Sequence, residues 1–361
     1  GAISIRRYDS VIPINVKDGG RVLDEVTTRR LIGVGLAGAA LVGLAVAAHW
    51  RWTYRQFSLF PLPRRKRLVP WMGWEVALAM LLWVMIPSLV LAALMGLGVL
   101  PLPANPSEPT LQEKYRNSWA LAATPPLTVG CILGMMWFVS RTRPKHLGIT
   151  RWRWRPALAL AYISYIVVTP IVMGLQLLAT KAMELIDGPS QPHLFQQFVE
   201  TINSPSVWVL VVMYAVVIAP ILEELIFRGI MLPWLAERRW GGWAAMAAAI
   251  AIGASELVSS IANRQAWNWA PLAFALGASA IGALLTWPRA GEQWARRAII
   301  GTGLLFAMFH ITAWPSPIPL LVLGMALGWV MHRTRSLVAP IALHALFNAT
   351  STMILLIGRS E

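Results

Sequence analysis

The sequence predicts an all-α membrane protein, a polytopic bundle of about ten transmembrane helices. Hydrophobic residues make up 57% of the 361 positions and charged residues 13%, against about 45–50% and about 25% in soluble domains. The apolar residues form runs of about 20, the length that crosses ~30 Å of hydrocarbon. Positive charges lie in short blocks between these runs, as in loops that orient transmembrane helices.

The apolar runs define the expected elements in order. A polar segment at 1–30 precedes the first run at 31–48, which is rich in the small residues that allow close helix packing. The expected spans after it are 74–98, 119–139, 156–179, 207–237, 242–258, 268–287, 297–313, 318–331 and 337–357. We expect accessory transmembrane helices at 31–200 and a functional core at 205–357.

The connections between the runs differ in charge. The basic ones are 51–67, 141–155, 238–239, 289–297 and 333–335. Acidic residues lie instead in connections 101–118 and 181–205. The alternation places the basic side in the cytoplasm, so we expect a multi-pass protein of the bacterial cytoplasmic membrane. The basic residues of these loops account for the net charge of +15. We therefore expect a lipid bilayer, and not a nucleic acid, as the partner of these positive charges.

Two adjacent carboxylates, Glu223 and Glu224, lie in the apolar run 207–237, and Arg228 follows four residues after the second. A charge near the bilayer centre costs at least ~2.5–3.5 kcal/mol on insertion scales, so such residues are rare and usually functional. Glu224 and Arg228 have the i,i+4 spacing of a helical ion pair, with the acid first. Glu223 is rotated by about 100° around the helix relative to Glu224. It can therefore stay outside that ion pair as a reactive carboxylate. Alternatively, these charged residues could lie in a loop at the membrane surface and form a salt bridge with a structural role alone.

Two histidines and an asparagine also lie inside expected spans. His310 follows Phe306 by four residues and His344 precedes Asn348 by four, so each pair shares a helix face. We expect them to converge with the carboxylates on a water-filled pocket. There a carboxylate can deprotonate a water, and imidazole or amide N–H groups can stabilise an oxyanion. Alternatively, Glu223, His310 and His344 could bind zinc with one position open for water; the residues leave open whether the cofactor is zinc or none.

Three ordered motifs resemble those of the type II CAAX prenyl endopeptidase and bacteriocin-processing (CPBP) family of intramembrane proteases. They are Glu223-Glu224-x-x-x-Arg228, Phe306-x-x-x-His310 and His344-x-x-x-Asn348. The resemblance covers about 205–357 and implies an endopeptidase that acts on membrane-associated peptides or proteins, lipidated CAAX-type ones included. Family members have been described both as metal-dependent and as glutamate-based enzymes, so the resemblance does not decide on a metal.

The resemblance also implies a role for each motif residue. Glu223 would activate the water and His310 would position it, while His344 and Asn348 would form the oxyanion site. Glu224 and Arg228 would hold the geometry, with Phe306 as a supporting residue. One departure concerns spacing. Glu224 and His310 are 86 residues apart, more than is usual in the family, so we expect an inserted hairpin near 242–287.

Two other functional classes fit parts of the sequence. A non-catalytic membrane immunity or scaffold protein of the same fold would have no need of Glu223. A proton-coupled transporter would use the Glu and His residues as a relay, and it predicts broken helices in two corresponding halves. The sequence shows no such symmetry, so the endopeptidase is the leading hypothesis.

Overall fold

The structure is a computed structural model that describes seven stretches of the chain. They are 43–44, 69–100, 111–149, 154–185, 205–263, 268–286 and 293–357. The expected polar segment at 1–30, most of the first expected span at 31–48 and the basic connection 51–67 lie outside the described residues.

The described residues fold into helices and form no strand. Helix is expected here, because a backbone crossing hydrocarbon must satisfy its own N–H and C=O groups. The helices are α1 Gly73–Gly96, α2 Leu111–Ser140, α3 Trp154–Leu185, α4 205–236, α5 Gly241–Ala262, α6 Ala270–Leu285, α7 Gln293–Met308, α8 Pro317–Thr334 and α9 Val338–Ile357. The predicted all-α class is confirmed.

Five of these helices are long and apolar enough to cross a membrane: α1, α3, α4, α5 and α9. Two shorter apolar helices, Thr124–Ser140 within α2 and Ala270–Leu285, accompany them. An integral membrane protein with several spans is therefore confirmed, whereas the expected number of about ten is not. Helix α7 is less apolar than its expected span because its first turns contain Arg296 and Arg297.

The end of α7 differs from the sequence expectation for 297–313. The helix ends at Met308, and His310 follows it in a turn with φ −101° and ψ 20°. Prolines at 315, 317 and 319 follow closely. These prolines prevent a continuous helix from α7 into α8, because proline lacks the N–H that continues a helix and restricts the residue before it. His310 therefore belongs to the α7–α8 connection, not to a span.

Helix α4 contains two widened π-helical turns, Tyr214–Ile218 and Leu225–Met231. Each of them ends two residues before a proline, Pro220 or Pro233. Proline offers no N–H, and its ring clashes with the carbonyl four residues back, so the preceding turn widens. In both turns a backbone N–H reaches the carbonyl five residues earlier. The two adjacent glutamates lie between these widened turns.

Close helix packing positions α7 and α8 against α4. Gly303 of α7 faces Gly324 of α8, and a Cβ on Gly324 would lie 2.8 Å from the Gly303 carbonyl oxygen. Small residues of this kind allow helix backbones to approach each other in membranes. Helix α7 also packs on α5, while α3 packs on α8 and α9. The result places α4, α7, α8 and α9 around the motif residues.

Candidate active site

A fully buried ion pair forms the base of the site. Arg228 Nη1 donates to Glu224 Oε1 at 2.9 Å, and both side chains are 0% exposed. The i,i+4 pair expected from the sequence is therefore present, although the helix widens immediately after Glu224. Arg228 Nη2 also donates to the Gly324 carbonyl at 3.0 Å, and the guanidinium lies 4.5 Å from the centroid of the Phe306 ring. These contacts join α4, α7 and α8.

His344 of α9 is held by the same carboxylate. Its Nδ1 lies 2.9 Å from Glu224 Oε1. Glu224 is paired with Arg228 and acts as an acceptor, so His344 Nδ1 carries the hydrogen and donates it. The lone pair of the neutral ring then lies on Nε2. That nitrogen faces Glu223, whose Oε2 is 3.9 Å away.

Glu223 has different surroundings from its neighbour in sequence. Its side chain is 17% exposed, and its Oε2 makes no hydrogen bond to any described residue. The separation of 3.9 Å from His344 Nε2 is too long for a direct hydrogen bond. It fits a single bridging water, which is the ordinary explanation of a polar contact at this distance.

His310 approaches the site from the α7–α8 connection. Its Nδ1 lies 2.9 Å from the Phe306 carbonyl. A carbonyl only accepts, so Nδ1 carries the hydrogen and donates it. The Phe306 ring lies 4.9 Å from the His310 ring and 5.6 Å from the His344 ring, centroid to centroid. The structure thus brings both histidines to one buried aromatic ring.

Asn348 lies one helical turn after His344 and also contacts α4. Its Nδ2 donates to the Ala215 carbonyl at 2.8 Å, within the first widened turn. Helix α9 is therefore bonded to α4 at Glu224 and, before the glutamates, at Ala215. Sequence patterns do not indicate that the carbonyls of Ala215 and Gly324 accept these hydrogen bonds. The Ala215 contact depends on a widened turn, and the Gly324 contact depends on helix packing.

The zinc alternative does not fit this arrangement. Among the described residues, no group of three His, Cys, Asp or Glu side chains could hold a metal ion. Glu223, His310 and His344 therefore do not form the three-ligand set expected for zinc. The arrangement does not support the expectation of a metalloprotease.

The apolar helices of this integral membrane protein thus enclose a polar site. In that site Glu224 is buried and is paired with Arg228 and His344. Residues 205–291 and 280–350 match the family model of the type II CAAX prenyl endopeptidases, described as Rce1-like. All three motifs lie within the matched residues. Residues 205–350 are therefore similar to the Rce1-like family, and the match confirms the resemblance expected from the motifs. Searches of curated proteins and of solved structures gave no significant match.

Proposed function

We propose that the protein is a membrane-embedded endopeptidase that hydrolyses a peptide bond with a water activated by Glu223. The observation that carries this proposal is the difference between the two glutamates. Glu224 is fully buried, and its Oε1 is paired with Arg228 and bonded to His344, whereas Glu223 is 17% exposed, with its Oε2 3.9 Å from His344 Nε2. The family description adds the substrate class, a prenylated CAAX-type peptide or protein.

The proposed water lies between Glu223 Oε2 and His344 Nε2. Both atoms are acceptors, so each can receive one of the two hydrogens of the water. This leaves a lone pair of the water oxygen free for attack on the substrate carbonyl. Glu224 holds the ring of His344 in the tautomer that this requires, and Arg228 supplies the counter-charge of Glu224. His310, whose ring also lies against Phe306, positions the water or the carbonyl.

The reaction follows from general acid–base chemistry. Glu223 takes a proton from the water as its oxygen bonds to the carbonyl carbon, and the carbonyl oxygen becomes an oxyanion. Asn348 has two amide hydrogens and uses one on Ala215, so the second is the proposed oxyanion donor. The C–N bond then breaks, and Glu223 returns its proton to the leaving nitrogen. The products are a new carboxylate and a free amine.

We also propose a division of the chain by role. The protease core is 205–357, with accessory helices in 31–200 and an inserted hairpin near 242–287. Helices α5 and α6 pack against each other and against α7. The motif residues lie on α4, on α9 and at the end of α7, so this packing supports a hairpin that stands outside the chemistry.

The test is cleavage of a farnesylated CAAX peptide by the purified protein in detergent. We expect Glu223→Gln to lower the turnover number by about 10²–10⁴-fold, the range that a general base supplies. Glu256→Gln is the matched control, because Glu256 lies on α5 away from the motifs, and it should retain activity. Full activity of Glu223→Gln would show that another group activates the water.

A further inference from the structure

An aromatic cluster extends from the candidate site to helix α1. Phe227 of α4 lies 5.5 Å from the Phe306 ring and 5.6 Å from the Phe309 ring, both edge to face. Trp83 of α1 lies 5.7 Å from Phe227 and 5.4 Å from Phe309. These spacings are those of favourable aromatic pairs. The cluster therefore joins α1, α4 and α7.

The cluster has a buried part and an accessible part. Phe227 and Phe306 are 0% exposed, and Phe306 contacts both histidine rings. Phe309 is 36% exposed and Trp83 is partly exposed. Phe309 also directly precedes His310 in the chain. The accessible pair, Trp83 and Phe309, is thus an apolar surface next to the proposed catalytic residues.

The start of helix α1 is attached to α4. The indole N–H of Trp71, just before α1, donates to the Ile230 carbonyl of α4 at 3.2 Å. Gly73 lies so close to Trp234 that a Cβ would be 2.5 Å from its ring. Residues 69–96 lie outside the family match, so Trp83 is a feature of this chain and not of the matched core.

We propose that Trp83 and Phe309 form the binding surface for a large apolar side chain next to the scissile bond, with Trp83 as a specificity-determining residue. This inference rests on the proposed function. Two partly exposed aromatic rings beside His310 offer the apolar area that a bulky aliphatic or aromatic side chain would bury. Binding energy gained there would hold the carbonyl near Glu223 and His344.

The test uses farnesylated CAAX peptides that differ only in the residue after the scissile bond, either leucine or alanine. Trp83→Ala should lower kcat/KM for the leucine peptide about 10-fold, mainly through KM, since removing a few buried methylenes has effects of this size. The alanine peptide should change less than about 3-fold. Trp83→Phe should retain most of the preference. Trp74→Ala is the control, because Trp74 lies on the same helix and is 52% exposed.

Two kinetic outcomes would overturn the inference. An equal loss for both peptides with a lower melting temperature assigns Trp83 to packing alone. Unchanged kinetics for both peptides assigns it to the lipid-facing surface. A photoreactive phenylalanine at position 83 of the Glu223→Gln protein gives a readout without cleavage. Crosslinking to the leucine peptide supports the inference even if the wild-type protein cleaves nothing, which would contradict only the proposed function. No crosslink to that peptide overturns it.

Discussion

Glu223 and Glu224 are neighbours in sequence with opposite surroundings. Glu224 is fully buried, and its Oε1 accepts hydrogen bonds from Arg228 and His344. Glu223 is partly accessible, and its Oε2 has no hydrogen-bond partner in the described part of the chain. A carboxylate oxygen that already accepts from a guanidinium and an imidazole is a poor base, whereas one beside an imidazole lone pair can hold a water. The two residues should therefore respond differently to the same substitution.

At this scale we predict that Glu224→Gln destabilises the protein. The substitution leaves Arg228 charged, buried and without its counter-ion, and breaking a buried pair costs ~3–5 kcal/mol. Glu223→Gln should keep the melting temperature of the wild type, since Arg228, the buried cation, is hydrogen-bonded to Glu224 and not to Glu223. The measurement is the melting temperature of each variant in the same detergent, with Glu256→Gln as the control. A lower melting temperature for Glu223→Gln alone would reverse these roles.

Helix α4 is the element on which the site depends. Its two widened turns leave carbonyl groups available to donors from other elements: Ala215 accepts from Asn348 and Ile230 accepts from Trp71. Widened turns of this kind are frequent at functional sites. From the second of these turns, Arg228 reaches the Gly324 carbonyl of α8. The position of that carbonyl depends on the contact between the glycines of α7 and α8.

We predict that Gly324→Ala lowers both activity and stability. The new Cβ would lie 2.8 Å from the Gly303 carbonyl oxygen, so α7 and α8 must separate, and the Gly324 carbonyl moves away from Arg228. Overpacking of this kind costs roughly 1–3 kcal/mol. Melting temperature and peptide cleavage measure the two effects.

Gly277→Ala is the matched control for that substitution. Gly277 lies within α6, and a Cβ there meets no atom within 4 Å. Alanine favours a helix over glycine by about 0.5–1 kcal/mol, so this variant should be as stable as the wild type or slightly more so. Equal melting temperatures for Gly324→Ala and the wild type would contradict the role assigned to the glycine contact.

At the scale of the whole molecule, arginines stack on tryptophans beside the basic connections. The stacked pairs are Arg141 on Trp137, Arg155 on Trp154, Arg238 on Trp234 and Arg297 on Trp243. Tryptophan is enriched at the membrane–water interface, and stacking stabilises a cation there. Two of the basic connections are in contact, because Leu337 N donates to the Gly148 carbonyl at 2.9 Å. These pairs support placing the basic connections together at one membrane interface.

We predict that water reaches the site from the basic side, because charged groups inside a membrane require a polar path. Single cysteines at Arg333 and Ala345 should react with a water-soluble thiol reagent from the cytoplasmic face, Ala345 more slowly. Cys131 must first be replaced, because it is exposed. Leu97, 78% exposed at the far end of α1, is the control and should react from the other face alone. Reaction of Ala345 only from that other face would place the entrance there.

The sequence by itself determined the class of the protein and the local part of the site. Apolar runs predict transmembrane helices because a backbone in hydrocarbon must form hydrogen bonds between its own N–H and C=O groups. The pair Glu224–Arg228 was predictable because i,i+4 neighbours meet whatever the rest of the chain does. The ordered motifs also indicated the family.

Only the tertiary structure decided which groups from distant parts of the chain meet. His310 lies beyond the end of its helix, and five of the described helices are long and apolar enough to cross a membrane, so the expected number of about ten spans is not confirmed. The bond of Asn348 to Ala215, that of Arg228 to Gly324 and the contact of Trp83 with Phe309 join separate helices. Their positions depend on widened turns and on how closely small residues let helices approach. The periodicity of apolar residues describes one helix at a time. It therefore does not predict which face of a neighbouring helix will pack against that helix.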